Sequence, residues 1–347
     1  MSTRSGRDFD EEGQRVTHPH VLLLMGQGTF DLQFREPQLD RLRELAVVGD
    51  PIRLDALDGA RLSEADVIIT SWGAPPITVA HLDAAPRLRA VLHAAGSVRG
   101  LLPDEAWERG IVVTSAADEN ARPVAEYTLA AIIFAGKRAP FLAAEARTRR
   151  DQWSFADQGE SLTNRGRTIG LVGWSRIGRR TAEMLALLET GAVLVADPTI
   201  TPDDLAGTGA ELVDLPELLR RSDVVSLHAP SLPETYHLIG ARELALMPDG
   251  ATLVNTARGA IVDTAALERE ASSGRLSAIL DVTDPEPLPP TSVLYDLPNV
   301  MITPHIAGSL GSEARRMSDQ ALDELERLVL GQPVQAPVTR EHLVVGA

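Results

Sequence analysis

Short, nearly uninterrupted aliphatic runs recur along the chain, separated by longer mixed stretches. Residues 21–25, 66–70, 89–93 and 111–114 form a first set. Residues 168–173, 193–197, 223–227, 251–255, 277–281 and 300–303 form a second. A strand with one wet face alternates apolar and polar residues, so continuous runs predict strands buried on both faces of a parallel sheet. Strand alternating with helical stretch predicts α/β architecture, and two sets of strands predict two doubly wound domains.

The apolar stretch 123–137 reads as a helix joining the two. Beyond the second set, residues 311–330 carry Ala314, Met317, Ala321, Leu325 and Leu328 at helical spacing. This helix is expected to return to the first domain and make it discontinuous. The expected organisation is a disordered tail at 1–17, a first domain over 18–126, a second over 127–309, the returning helix over 310–332, and a loose C-terminal tail over 333–347.

Composition narrows the picture. At roughly 100–200 residues per domain, 347 residues fit two domains. Aromatics are only 4%, so the cores must be aliphatic. A net charge of -16 argues against nucleic acid or an anionic membrane as partner, because both need basic patches. It leaves room for a small anionic ligand held by a few local cations. The chain has no cysteine, which removes disulfides, thiolate nucleophiles and cysteine-ligated metals, and fits a cytoplasmic protein. No metal site is expected. The first residues lack the apolar core of a signal peptide, and no apolar run nears the ~20 residues that span a bilayer.

One strand-to-helix turn carries chemistry. Gly173, Trp174, Ser175, Arg176, Ile177 and Gly178 follow the run at 168–173 and open a helix. The dinucleotide fingerprint G-x-G-x-x-G maps onto Gly173, Ser175 and Gly178, with serine in place of the glycine that lets the backbone approach a pyrophosphate. Main-chain N–H groups at the helix start would still face an anion. Asp197 ends the next strand, 19 residues beyond Gly178. An acid there accepts hydrogen bonds from an adenosine ribose and repels a 2′-phosphate, so NAD is the expected cofactor.

Three further strand ends carry Arg258, Glu286 and His305, the last two within the segments Asp281–Pro287 and Thr303–Gly308. Ligands of open parallel sheets bind at the carboxyl ends of strands, so these side chains can converge. Together with the loop at 227–230, which holds His228 and Pro230, and the stretch 120–126 beginning at Asn120, they resemble the D-isomer-specific 2-hydroxyacid dehydrogenases. The resemblance runs from about residue 60 to 310 and thins toward the N-terminus. It implies a Rossmann NAD-binding domain, a discontinuous flavodoxin-like substrate domain, NAD(P) in the cleft, a homodimer, and interconversion of a 2-oxo acid with a (D)-2-hydroxy acid.

The chemistry agrees with these assignments. Arg258 can grip the substrate carboxylate and polarise its carbonyl with a rigid fork of donors. His305 can exchange the proton, and Glu286 can hold its other ring nitrogen and favour its charged form. Each has a plainer reading as a surface cation, a turn residue or a capping histidine. The resemblance further places Thr256 and Ala257 against the nicotinamide, with His228, Pro230 and Gly308 in cofactor loops. Asp281 resembles the acid beside the nicotinamide carboxamide, or is structural. On the substrate side, Gly96, Ser97 and Val98 match the loop whose N–H groups bind the carboxylate, Asn120 matches a substrate-side asparagine, and Trp72 is a pocket wall or a packing residue. Val98 departs from the family's usual acidic or amide residue, which puts the anchoring of that loop in question.

Two rival readings stand beside the enzyme. One is an NAD-sensing regulatory protein on the same fold, as in the C-terminal-binding corepressors. The other is a dehydrogenase of a phosphonate-bearing substrate. Formate dehydrogenation is disfavoured by glutamate rather than glutamine at 286, and phosphite dehydrogenation by Ala95 before the loop glycine.

Overall fold

A computed structural model describes residues 18–57, 59–150 and 162–341. The tail expected at 1–17 lies outside the described residues, as do positions 342–347. The described residues divide into two compact units, one up to Asn120 and again from Ser309 onward, the other Ala121–Gly308.

The first unit is built on a five-stranded parallel sheet of β1 (His20–Leu24), β2 (Val47–Leu54), β3 (Val67–Thr70), β4 (Ala90–His93) and β5 (Val112–Ser115), in the order β2-β1-β3-β4-β5. That is the flavodoxin-like winding. Every residue of β3 and β4 is buried, which is why their runs are purely apolar up to the terminal Thr70 and His93. The edge strand β2 was invisible to the apolar pattern. Only one of its eight residues is buried, it contains Pro51, and its pairing with β1 slips between Val21 and Leu23. The helix Ala314–Val329 packs Ala321, Leu322 and Leu325 into the core around Leu23, Val67 and Leu92.

The second unit holds a seven-stranded parallel sheet of β6 (Ile169–Val172), β7 (Val193–Ala196), β8 (Glu211–Leu212), β9 (Val224–Leu227), β10 (Thr252–Asn255), β11 (Ser277–Leu280) and β12 (Val300–Ile302). Its order, β12-β11-β10-β9-β6-β7-β8, reverses direction between β6 and β9, the Rossmann winding with its switch point at the first strand. The sheet is sandwiched between two aliphatic cores, one around Leu218, Leu253 and Ile261 and the other around Ile132, Leu185 and Ile279.

Two expectations need correction. The division between units falls at Asn120, not at residue 126, inside the helix Ala117–Lys137. The start of that helix is still tied to the first unit, since Ala116 N donates to the carbonyls of His93 and Ala95 at 3.0 Å and Asn120 Oδ1 accepts from Ser309 N. The described part of the expected loose tail is pinned. Val338 N donates to Val113 O at 2.7 Å, and Trp107 Nε1 donates to Val338 O at 2.7 Å. The buried Glu324 carboxylate accepts the amides of Gln335 and Ala336. The physical reason is β5, an edge strand whose unpaired groups the tail satisfies.

Candidate active site

The nucleotide loop is shaped by close approach. Gly173 sits at φ +102, and a Cβ there would stand 2.6 Å from Ala229 N. A Cβ on Gly178 would stand 2.4 Å from Gly173 O. Glycine is therefore required at the first and third fingerprint positions. The middle position has another job, because Ser175 is the N-cap of the helix Arg176–Leu185 and its hydroxyl accepts from Gly178 N at 3.3 Å. The amides of Ser175 and Ile177 donate to no group among the described residues. A short turn, a helix N-terminus and free amides fit a pyrophosphate. Arg176 is exposed beside them, whereas Trp174 is buried in the aliphatic core.

Asp197 lies at the end of β7, half-buried. Its Oδ2 accepts Trp174 N at 2.7 Å and its Oδ1 accepts the amide and hydroxyl of Thr199. The acid is thus fixed against the glycine loop. His228, at the end of β9, is buried with Nε2 3.0 Å from Ser226 Oγ and Nδ1 unpartnered. Burial pushes its pKa down to about 3. Pro230 follows, its carbonyl accepting from Thr235 Oγ1.

Arg258, Glu286 and His305 stand on the loops that leave β10, β11 and β12, three neighbouring strands of one sheet. Asn255 shapes the first loop, accepting Ala257 N through Oδ1 and donating from Nδ2 to Arg258 O. Arg258 is exposed and its Nη1 donates to Ala257 O at 2.6 Å. Gly259 explains why the motif pairs arginine with glycine, since a Cβ there would lie 1.9 Å from Thr283 O. That contact packs the Arg258 loop directly on the loop that carries Glu286.

His305 Nδ1 lies 2.7 Å from Glu286 Oε1, with the two side chains 51% and 44% exposed. A carboxylate only accepts, so Nδ1–H donates and Nε2 is left to exchange a proton outward. His305 sits at φ +55, a region non-glycine residues rarely adopt. Asp281 holds it there. Its carbonyl accepts His305 N, Oδ1 accepts Ile306 N and the Thr303 hydroxyl, and Oδ2 accepts Ala307 N. Tyr127 Oη lies 2.7 Å from Thr303 Oγ1. Asp281 is 2% exposed and its carboxylate takes three donors, which gives it a structural role in this loop.

The side chains of two other expected site residues pack inward. The Thr256 hydroxyl is turned inward to Thr128 Oγ1 at 2.7 Å, so Thr256 ties β10 to the helix Ala117–Lys137. The Val98 side chain is buried among Leu101, Val113 and Val338, which leaves its main-chain N–H as the group it can offer. Ala257 is buried and Gly308 closes the second unit.

In the first unit, Gly96 and Ser97 follow β4. A Cβ on Gly96 would lie 3.2 Å from Asn120 Nδ2. Trp72 follows β3, 38% exposed, its carbonyl accepting Gly26 N. Sequence reasoning missed Gln33 and Ser71, whose side chains donate to Ala94 O where this loop leaves β4. Their only signal was polarity in or beside apolar stretches. Among the described residues no group of side chains could hold a metal, and no helix is long and apolar enough to cross a membrane.

Fold and site together define a dinucleotide-binding α/β protein with a histidine–carboxylate pair on the nucleotide-binding sheet. Comparison with known proteins gives this class a family. The family model described as D-isomer specific 2-hydroxyacid dehydrogenase, NAD binding domain, matches residues 130–307. The chain is 36% identical over 275 residues to a glyoxylate reductase of Thermofilum pendens, covering 76% of this chain and 78% of that protein. It is 35% identical over 296 residues to a D-3-phosphoglycerate dehydrogenase of Mycobacterium tuberculosis, covering 82% of this chain and 54% of that one. It thus spans about half the length of the D-3-phosphoglycerate dehydrogenases it matches. The crystal structure of Rhodotorula graminis D-mandelate dehydrogenase superposes with a TM-score of 0.77 at 25% identity, over 93% of this chain and 98% of that one. The chain belongs to the D-isomer-specific 2-hydroxyacid dehydrogenase family.

Proposed function

We propose that this protein is an NAD-dependent oxidoreductase that interconverts a 2-oxo acid and a (D)-2-hydroxy acid. The observation that carries the reading is the 2.7 Å bond between His305 Nδ1 and Glu286 Oε1, on the loops after β12 and β11, with Arg258 after the next strand, β10. When bound, the reduced nicotinamide supplies the hydride that adds to the carbonyl carbon. Arg258 holds the carboxylate and polarises the carbonyl oxygen. His305 delivers a proton from Nε2 to that oxygen, so reduction consumes one proton and one hydride, and oxidation returns both. Glu286 keeps Nδ1 protonated and orients the ring. Gly96, Ser97 and Val98 offer main-chain N–H groups to the substrate carboxylate. Asn120 and Trp72 line the substrate side.

Asp197 supports NAD over NADP, because its fixed carboxylate would meet a 2′-phosphate with like charge. A homodimer is supported by Phe134, 49% exposed on the long helix Ala117–Lys137. Light scattering at micromolar concentration checks it, and a monomer refutes it.

The test is a panel of 2-oxo acids, including glyoxylate, hydroxypyruvate and phosphonate-bearing members, with NADH consumption followed optically. Turnover of at least one member is expected. NADH binding without turnover of any member would favour the regulatory reading.

A further inference from the structure

The segment that follows the helix Ala314–Val329 crosses β5 as a strap. Val334, Ala336 and Val338 are half-buried while Gln335, Pro337 and Thr339 are exposed, the period-two alternation of a strand with one face covered. Pro337 pairs antiparallel with Thr114. Ser115 N donates to Ala336 O at 3.3 Å, and Val338 N donates to Val113 O at 2.7 Å. Two side chains add to this ladder. The Glu324 carboxylate, 2% exposed, accepts Gln335 N at 3.0 Å and Ala336 N at 2.7 Å. Trp107 Nε1 donates to Val338 O at 2.7 Å. Every N–H of residues 335–338 is thereby bonded, Pro337 having none.

What the strap covers gives it a role beyond closing a sheet edge. Val338 packs on the cluster of Val98, Leu101 and Val113, in which Val98 is 2% exposed. Val98 belongs to the loop after β4. That loop is fixed where it leaves the strand, since Ala94 O accepts Ser71 Oγ at 2.8 Å and Gln33 Nε2 at 3.0 Å, and Ala95 O accepts Ala116 N at 3.0 Å. The amides of Gly96, Ser97 and Val98 donate to no group among the described residues. Val98 O accepts Leu101 N at 3.1 Å, a tie within the loop itself. The family's usual acidic or amide residue at this position could anchor the loop by hydrogen bonds. A valine side chain has none to offer and anchors only by burial, so the walls of its pocket decide where the loop rests. Leu101 and Val113 supply two of those walls, and Val338 of the strap supplies another.

We infer that the strap positions the substrate-carboxylate loop, with Val338 as its positioning residue. Val338 closes the pocket that seats Val98, and seating Val98 keeps the unbonded amides of residues 96–98 in place for the substrate. The inference rests on the proposed function, since it takes that loop as the carboxylate site.

The test uses the full chain and five measurements: KM for a 2-oxo acid that the wild type reduces, kcat, the Kd of NADH, the Kd of oxamate, a 2-oxo acid isostere, in the presence of NADH, and the melting temperature. Val338→Asp sets a carboxylate against Val98 and unseats it. Apparent affinity scales with the fraction of molecules whose loop is seated, so substrate KM and oxamate Kd should rise by roughly tenfold, with kcat and the Kd of NADH within about twofold. Val338→Ile keeps an apolar wall and should hold every value within about twofold of the wild type. Val338→Ala takes two methyl groups from the wall and should raise substrate KM and oxamate Kd about threefold; it carries the test if Val338→Asp does not fold. A lower melting temperature with unchanged oxamate affinity in Val338→Asp, or in Val338→Ala where that variant stands in, means that the strap only stabilises the unit and overturns the inference. So does a loss shared equally by oxamate and NADH. Oxamate binding without wild-type turnover of any 2-oxo acid refutes the functional reading alone. No oxamate binding by the wild type overturns both.

Discussion

Acid should weaken this fold before its carboxylates titrate, and two imidazoles set the size of the effect. An imidazole in the unfolded chain takes up a proton below about pH 6.5. In the folded protein burial pushes His93 down to about 4 and His228 down to about 3. Between those values the unfolded chain binds a proton at each site that the folded chain refuses. Stability is therefore full above pH 6.5 and falls as pH drops, by ~1.4 kcal/mol per pH unit for each group, until the folded pKa is reached. At pH 5 each has cost about 2 kcal/mol, and the two together about 4 kcal/mol, against a typical total of roughly 5–15 kcal/mol. Asp55, Asp204 and Glu211 have pKa values below their usual range and add to the loss only at lower pH. His93 belongs to the first unit and His228 to the second, so each unit should lose about 2 kcal/mol. Urea unfolding at pH 8 and pH 5 measures the difference in the wild type. In His93→Phe the loss between the two pH values should shrink by about 2 kcal/mol, whatever that variant's stability at pH 8. The same loss in wild type and variant would refute the claim that His93 is folded as a neutral, buried ring.

Other changes probe the second unit. Gly259→Ala forces a methyl against Thr283 O at 1.9 Å; it should cost roughly 2–4 kcal/mol by the scale of overpacking and backbone strain and lower kcat/KM, and wild-type melting would show that the two loops are not packed as described. Asp197→Ala should narrow the preference for NADH over NADPH, and equal kcat/KM for both cofactors in the wild type would sink the role given to that acid. His305→Ala should cut kcat on the order of 10²–10⁴-fold with little change in the Kd of NADH. Glu286→Gln, which keeps an acceptor but loses the charge, should fall between that variant and the wild type, and an undiminished kcat would remove it from the site.

Much of this was legible in the chain. Strands buried on both faces announce themselves as apolar runs, and ten of the twelve did. The two that escaped, β2 and β8, have Leu54 as their only buried residue, and Asp50, Arg53 and Glu211 break up the apolar signal. The pinned tail was hidden for a related reason, because Pro333 and Pro337 read as breakers while the bonds that hold the tail come from Trp107, Val113 and Glu324, far away in sequence. Arg258, Glu286 and His305 were readable because each stands at a strand end in a family pattern. Ser175 looked like a defective glycine and proves to be a helix cap, a role any N-terminal serine can take but which spacing alone does not assign. Val98 was the least legible, because the loss of a polar residue is visible in the chain whereas Leu101, Val113 and Val338, which bury its side chain, are gathered only by folding.

The arrangement around His305 shows how one buried side chain can hold its neighbours in a costly backbone conformation. A non-glycine residue at positive φ costs on the order of 1 kcal/mol or more. Asp281 repays this from one buried side chain, because its carbonyl and two carboxylate oxygens take the amides of three successive residues, His305, Ile306 and Ala307. Hydrogen bonds from N–H to a charged acceptor are about twice as strong as neutral ones. Thr303 spends its only proton on Asp281, so it must accept from the Tyr127 hydroxyl, and the clamp extends into the helix Ala117–Lys137. The ring then needs only Glu286 to choose its tautomer, and Glu286 is placed by a loop that packs against Gly259. The ring of His305 is thus placed by Glu286 and by the loop that Asp281 holds. Asp281 thereby stiffens the loop that carries His305.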